Sequence, residues 1–280
     1  MKKILSIMLA ALVLVACNST GENNDGENGM EPGRILVLYY SQTGATDSVA
    51  REIQCQLDAD IEEIQLENPY NGTYDETIER CKKEMETGEV PAVKPIKADL
   101  GKYDVIFLGY PVWFGTYARP IAGLVKAVDF KDKKVVTFCT LGSGGLQSST
   151  ADLAKALPGA KVVMEGYGVR NARISAIHDE VERFLIEHEF KEGYVTPLPA
   201  FMEDHPVTSE EKAVFDQACS DYPFPLGTPV AVATRTTDTS TDYMYTVNSK
   251  DKDGKNVVGQ VFVTVGFDEG SKPEFTQVVR

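Results

Sequence analysis

Apolar and polar positions along this chain fall into blocks of alternating period. Residues 35–40 form a continuous apolar run of strand length that stops abruptly at Ser41, Gln42, Thr43, Gly44, Ala45 and Thr46. Val49, Ala50, Ile53 and Leu57 then recur at helical spacing. Residues 103–110 and 134–139 are further near-continuous apolar runs, as expected of strands buried on both faces. Each runs into a turn-rich segment and then a helical stretch, 118–128 after the first and 146–156 after the second. A strand at 161–165 precedes a last helix carrying Ile174, Ile177, Val181, Phe184 and Leu185 on one face. Residues 59–66 alternate apolar with charged positions, the pattern of a strand near a sheet edge, and 73–87 reads as a charged helix closed by Gly88 and Pro91. Strands alternating with helices predict a parallel sheet covered on both sides.

The pattern changes after residue 190. Tyr194-Val195-Thr196-Pro197-Leu198-Pro199 reads as a linker. Thr208-Ser209-Glu210-Glu211 is a capping-box pattern opening a short helix with Val214, Phe215 and Ala218. Strand-like runs at 229–236, 242–248, 257–265 and 274–279 follow, separated by turns rich in Asp, Ser and Gly. One helix followed by antiparallel strands suggests a small α+β domain, faintly similar to the cystatin-like or monellin-like arrangement. The inhibitory Gln-x-Val-x-Gly motif is missing at 236–240, so protease inhibition is not supported and the piece reads as a docking or stabilising module. Asp251-Lys252-Asp253-Gly254 is hairpin-turn chemistry, without the later ligands of a calcium loop.

The N-terminus has a different character. Lys2 and Lys3 precede an apolar run at 4–15, the length of a signal h-region. Leu14-Val15-Ala16-Cys17 resembles a bacterial lipobox, which implies cleavage before Cys17 and lipidation of its sulfur. Residues 18–33, rich in Gly, Asn and Glu, read as a flexible acidic tether. The expected partition is a signal peptide at 1–16, the lipidated cysteine and tether at 17–33, an α/β domain at 34–190, a linker at 191–206 and the α+β domain at 207–280. The expected location is the bacterial cell envelope, outside the cytoplasm and held to the lipid bilayer through acylated Cys17.

The net charge of −14 over 280 residues disfavours nucleic acid as a partner. Cys55, Cys81, Cys139 and Cys219 match no metal or redox spacing, and Cys55 and Cys139 are expected on the core faces of a helix and a strand. His178, His188 and His205 are scattered on polar stretches and give no metal-site pattern.

Chemistry gathers in the segments that follow the first three buried strands, at the edge where open α/β sheets hold their ligand crevice. Ser41 to Thr46 joins a strand to a helix, so backbone N–H groups and a helix N-terminus face an anion, with hydroxyls from Ser41, Thr43 and Thr46. The absence of Gly-Lys-Ser/Thr excludes a P-loop, and the solitary Gly44 excludes a G-x-G-x-x-G fingerprint. Pro111, Val112, Trp113, Phe114, Gly115 and Thr116 hold the chain's one tryptophan beside a second aromatic ring. Thr140, Leu141, Gly142, Ser143, Gly144 and Gly145 give a backbone able to approach a ligand edge. Phosphate cradle, aromatic wall and backbone donors together describe a site for flavin mononucleotide, FMN.

From about Arg34 to Glu189 the chain resembles a flavodoxin. Ser41-Gln42-Thr43-Gly44-Ala45-Thr46 is similar to that family's phosphate loop. Gly109 to Thr116 is similar to its tryptophan-glycine loop, and Cys139 to Gly145 to its third flavin loop. Gly168-Val169-Arg170-Asn171-Ala172-Arg173 is similar to a stretch before the last helix in one subfamily. The resemblance implies a flavodoxin-like doubly wound five-stranded parallel sheet, followed here by the small α+β domain with one helix on an antiparallel sheet. It also implies FMN as cofactor, Trp113 stacked on the ring, and the peptide at Phe114–Gly115 facing N5. The third loop departs from many electron carriers in having no aromatic residue, which leaves the second ring face open or covered by Leu141 or Tyr74. Three functions remain: one-electron transfer with a redox partner protein, an FMN-dependent NAD(P)H or quinone oxidoreductase, and a cofactor-less binding module.

Overall fold

A computed structural model describes residues 34–251 and 253–280. The expected signal peptide, Cys17 and tether lie outside the described residues, as does Lys252 of the predicted turn. The chain runs through β1 (Ile35–Tyr39), α1 (Ala45–Leu57), β2 (Asp60–Glu63), α2 (Tyr74–Thr87), β3 (Val105–Trp113), β4 (Thr116–Tyr117), α3 (Arg119–Ala127), β5 (Lys134–Leu141), α4 (Leu146–Ala156), β6 (Lys161–Arg170) and α5 (Ile177–Glu187). It continues with β7 (His205–Pro206), α6 (Ser209–Ala218), β8 (Thr228–Thr236), β9 (Ser240–Lys250), β10 (Asn256–Gly266) and β11 (Glu274–Val279).

The first sheet has the order β2-β1-β3-β5-β6, all parallel, with β4 paired antiparallel to β3. This is the doubly wound architecture expected. The chain leaves β1 toward β2 on one side and returns through β3 on the other, so a topological switch point lies between β1 and β3. Each face of the sheet has its own core. Leu36, Leu38, Ile106, Leu108, Val135 and Cys139 pack on one side with α3 and Leu153 of α4. Val37, Tyr39, Phe107, Val136 and Phe138 pack on the other with Val49, Ala50 and Ile53 of α1 and Val181 and Leu185 of α5. That two-sided burial is why these strands are almost unbroken apolar runs.

The second sheet is antiparallel, in the order β11-β10-β9-β8-β7, with α6 against it through Phe215. The segment read as a linker contributes β7, which pairs with β8 through His205 and Pro206. The capping box is formed: Thr208 Oγ1 accepts from Glu211 N, and Thr208 N donates to Glu211. Both sheets belong to one compact unit.

Two expectations on the cysteines separate. Cys139 is fully buried in β5, whereas Cys55 is exposed. Helix α1 buries Thr46, Val49, Ala50 and Ile53, and two residues past Ile53, at ~100° each, is the opposite face. All four of Cys55, Cys81, Cys139 and Cys219 are free thiols. Among the described residues no helix is long and apolar enough to cross a membrane.

Candidate functional site

The C-terminal ends of β1, β3 and β5 point to one edge, and each segment takes a form set by its own residues. After β1, the chain reaches Gly44 at φ 90°, a left-handed conformation that disfavours L side chains. Gly44 is the N-cap of α1 and supplies no side-chain hydrogen bond. The cap that Ser or Thr would ordinarily give is therefore missing, although both are nearby. Ser41 Oγ instead accepts from Gly44 N at 3.1 Å, tightening the turn. The first N–H groups of α1 have no acceptor within their own helix. Thr43 is exposed, while Thr46 is buried and its hydroxyl lies 2.8 Å from Thr140 Oγ1. That bond ties the first segment to the end of β5.

The second segment is not the open loop expected of 111–117. Strand β3 continues to Trp113 and turns straight back as β4, pairing Val112 with Tyr117 and Trp113 with Thr116. The two turn residues are Phe114 at φ 52° and Gly115 at φ 80°, the type I′ pattern that matches strand twist. Glycine meets this demand easily. A phenylalanine there is an outlier costing about 1–2 kcal/mol, and such strain collects at functional sites. The Trp113 ring packs edge-on against Tyr40 at 6.0 Å and Tyr70 at 5.4 Å between centroids. Phe114 is 47% exposed at the hairpin tip.

Tyr70 is thus a buried support for Trp113. Its hydroxyl donates to Glu84 Oε2 at 2.6 Å, and the Arg80 guanidinium lies 3.9 Å over its ring. Arg80 also pairs with Glu84 at 2.8 Å and donates to the carbonyls of Asn68 and Pro69. Burial, then the bond to Glu84, pushes the Tyr70 phenol well above its ordinary value. Composition alone could not place Tyr70 here. The cue was the turn Asn68–Gly72 ahead of a capped helix, which brings 70 back over the sheet edge.

The third segment is shorter than expected. Thr140 and Leu141 belong to β5, and Leu141 is buried in the core, so it covers no ligand face. Tyr74, the other proposed cover, is 79% exposed on α2. The turn proper is Gly142-Ser143-Gly144-Gly145, with Gly145 at φ 109° as the N-cap of α4, again without a side-chain cap. Among the described residues the amides of Ser143, Gly144 and Gly145 have no hydrogen-bond acceptor. A Cβ on Gly145 would stand 3.7 Å from Gly115, and Ser148 Oγ donates to Gly115 O at 2.7 Å. The third segment therefore adjoins the hairpin, and Ser148 is a residue the sequence did not single out. Its signal was its position three residues after the N-cap glycine.

Charge near the first segment is balanced locally. Arg51 bonds Asp47 at 2.8 Å. That bond, aided by the Tyr39 hydroxyl, holds the Asp47 carboxyl below the usual carboxylate range. Burial, then the Asp47 bond, raises the Tyr39 phenol. No lysine or arginine of segment 41–46 faces an anion, because none is present. The donors are backbone amides, hydroxyls and two helix dipoles.

Cavities divide along the same lines. Ser41 and Gln42 line one of about 180 Å³ with Tyr40 and Tyr70. Trp113 and Phe114 line another of about 180 Å³ with Met85, Tyr117 and Arg119. A further cavity, about 760 Å³, runs along β2 and residues 94–98, with Asp60, Glu62, Glu63, Lys94 and Lys97 in its walls. It is open and charged, and its one aromatic residue, Tyr103, is buried and hydrogen-bonded to Asp60, so the three-segment edge is the better site. Among the described residues no group of three or more His, Cys, Asp or Glu side chains could hold a metal ion.

These features fit FMN on the chemistry of their donors. Two uncapped helix starts and unpartnered amides suit a phosphate and the carbonyl edge of a flavin, and Trp113 supplies an aromatic surface.

A flavodoxin family model matches residues 34–185. A protein described as a flavoprotein from Bacteroides eggerthii DSM 20697 is 30% identical, over 54% of this chain and 98% of its own, with a TM-score of 0.45. One so described from Bacteroides uniformis ATCC 8492 is 27% identical over 54% and 98%, with a TM-score of 0.48. A flavoprotein from Lactobacillus acidophilus NCFM, solved in complex with FMN, is 24% identical over 54% and 97%, with a TM-score of 0.45. A search of curated proteins finds no match.

Proposed function

This chain belongs to the flavodoxin family, whose cofactor is FMN, and on that premise we propose that it is an electron-transfer protein held at the bacterial envelope through lipidated Cys17. The observation that carries the reading is the set of unspent backbone donors at one sheet edge, beside the chain's one tryptophan. The amides that open α1 would hold the phosphate, with Ser41 and Thr43 hydroxyls beside them. Trp113 would face the ring, fixed by Tyr40 and Tyr70. The Phe114–Gly115 turn would present its peptide to the N5 edge, and Ser148 holds the Gly115 carbonyl in place. Amides of Ser143 to Gly145 would meet the carbonyl edge. FMN supplies the redox chemistry, accepting and releasing electrons singly or in pairs. The chain's own part is to bind, orient and keep water from the ring. An envelope of net charge −14 disfavours added negative charge in the site and suits a redox partner with a cationic face.

One observation favours a second reading. The third segment carries no aromatic side chain, Leu141 is buried and Tyr74 points into solvent, so a nicotinamide or quinone has access to the second ring face. The protein would then be an FMN-dependent NAD(P)H or quinone oxidoreductase. Two experiments decide. Reconstitution with FMN should give a flavin absorbance that survives gel filtration; a colourless protein would leave only the cofactor-less binding module. Mixing the holoprotein with NADPH should leave the flavin oxidised for a carrier. Rapid bleaching without an added reductase would identify the enzyme.

A further inference from the structure

The third segment has two sides, and only one faces the other segments. Its other side is closed by the C-terminal sheet. Strand β11 lies at the edge of that sheet, where an outward N–H needs a partner. Val278 N donates to Ser143 O at 2.7 Å. Arg170, the last residue of β6, donates from Nε to Gly142 O at 2.7 Å and from Nη1 to Phe275 O at 2.7 Å. Its guanidinium lies 4.1 Å over the Phe275 ring. The approach is too close for a side chain: a Cβ on Gly144 would stand 2.2 Å from Val278 O. One turn further on, Arg173 pairs with Glu274 of β11 at 3.1 Å and Glu180 of α5 at 2.7 Å.

The bonds divide the segment by polarity. The carbonyls of Gly142 and Ser143 are spent on Arg170 and β11. The amides of Ser143, Gly144 and Gly145 are left without acceptors among the described residues. A turn with three glycines in four residues has more backbone freedom to lose than almost any other sequence. Left loose, that freedom would be lost on binding and subtracted from affinity. Fixed in advance, it is not.

We propose that strand β11 and Arg170 form a clamp that holds the third segment with its amides turned toward the cofactor, so that the C-terminal sheet supports the flavin site from behind. Arg170 is a positioning residue, acting through the Gly142 carbonyl. The proposal rests on the FMN reading for its consequence, though not for its geometry.

The test uses the purified full chain, wild type and two variants. Arg170→Met keeps the stem packed on Phe275 and removes both donors. Val278→Pro removes the one N–H by which this edge strand holds Ser143, without removing a bond to β10. Backbone 15N order parameters at Ser143 to Gly145 are measured without flavin, and Kd is measured for FMN and for riboflavin. Either variant should lower the order parameters of those amides from the rigid range, about 0.85, to below about 0.6 while leaving the β9–β10 core rigid. Either should weaken FMN and riboflavin by the same factor, about tenfold, because the phosphate is held elsewhere. Unchanged order parameters, or lowered ones with unchanged Kd, overturn the clamp; if one variant fails to fold, the other decides. Wild type that binds no FMN would end the cofactor reading alone. The order-parameter comparison would still judge whether β11 orders the segment.

Discussion

Helices α2 and α6 open with complete capping boxes, Thr73 with Glu76 and Thr208 with Glu211. Helices α1 and α4 open on glycines at φ 90° and φ 109°, with no side-chain cap. The second pair starts at the sheet edge that gathers the aromatic hairpin. Helix α3 also lacks a side-chain cap, but Pro120 in its first turn removes a donor, and α5 continues from a 3-10 turn at Asn171–Ala176. The difference teaches where the chain spends its amides. Where a helix only has to be stable, the sequence satisfies its N–H groups internally. Where it has to hold something, those groups are left for a ligand, at a cost in stability of the free protein.

Filling the open pair with charge should break the contrast most severely. Thr43→Asp puts a carboxylate where the phosphate would sit; at an effective dielectric near 20, two charges about 4 Å apart repel by roughly 4 kcal/mol. FMN affinity should fall by at least about 100-fold while riboflavin binding is nearly unchanged, as read by fluorescence titration. Equal losses for both ligands would remove Thr43 from the phosphate region. Trp113→Ala should cost about 1–3 kcal/mol of ring stacking, roughly 5- to 150-fold in Kd, equally for FMN and riboflavin. Its melting temperature should also drop, because Tyr40 and Tyr70 lose their partner.

The capped pair should behave in the opposite way. Thr73→Ala and Thr208→Ala should each lower stability by about 1 kcal/mol in urea titrations and leave FMN affinity alone. A change in affinity with either would show that these helices are not simply structural. The smallest effect concerns acid. Arg51 depresses the Asp47 carboxyl. A depressed carboxylate contributes stability above its unfolded value, near 3.9, and loses it as pH falls through the folded value. Arg51→Ala should therefore begin acid unfolding at higher pH than wild type; identical profiles would show that the pair contributes nothing.

The parallel sheet was legible because burial on both faces leaves an unambiguous mark: Val105 to Tyr110 and Val135 to Cys139 contain almost nothing polar. The capping box at Thr208 was legible for the same reason, being a local rule with local residues. What escaped depended on turns and on long range. Trp113-Phe114-Gly115-Thr116 reads as a loop, because phenylalanine at positive φ is not a hairpin signal. Leu141 reads as loop because its glycine neighbours outweigh it. Cys55 falls on the other face of α1 than expected, because the buried positions are Thr46, Val49, Ala50 and Ile53. Tyr70 found its role only through Glu84 and Arg80, 14 and 10 positions on. The clamp by Arg170 and Val278 joins residues 108 apart, which no local pattern contains.

The contrast between spent and unspent amides is tested most directly by the fluorescence of Trp113, the chain's one tryptophan. FMN and riboflavin are titrated in parallel into the purified, flavin-free protein. The structure predicts saturable quenching at one FMN per chain, with riboflavin at least about tenfold weaker because it offers the α1 amides no phosphate. Trp113 fluorescence indifferent to FMN, or the two ligands binding equally, would contradict it.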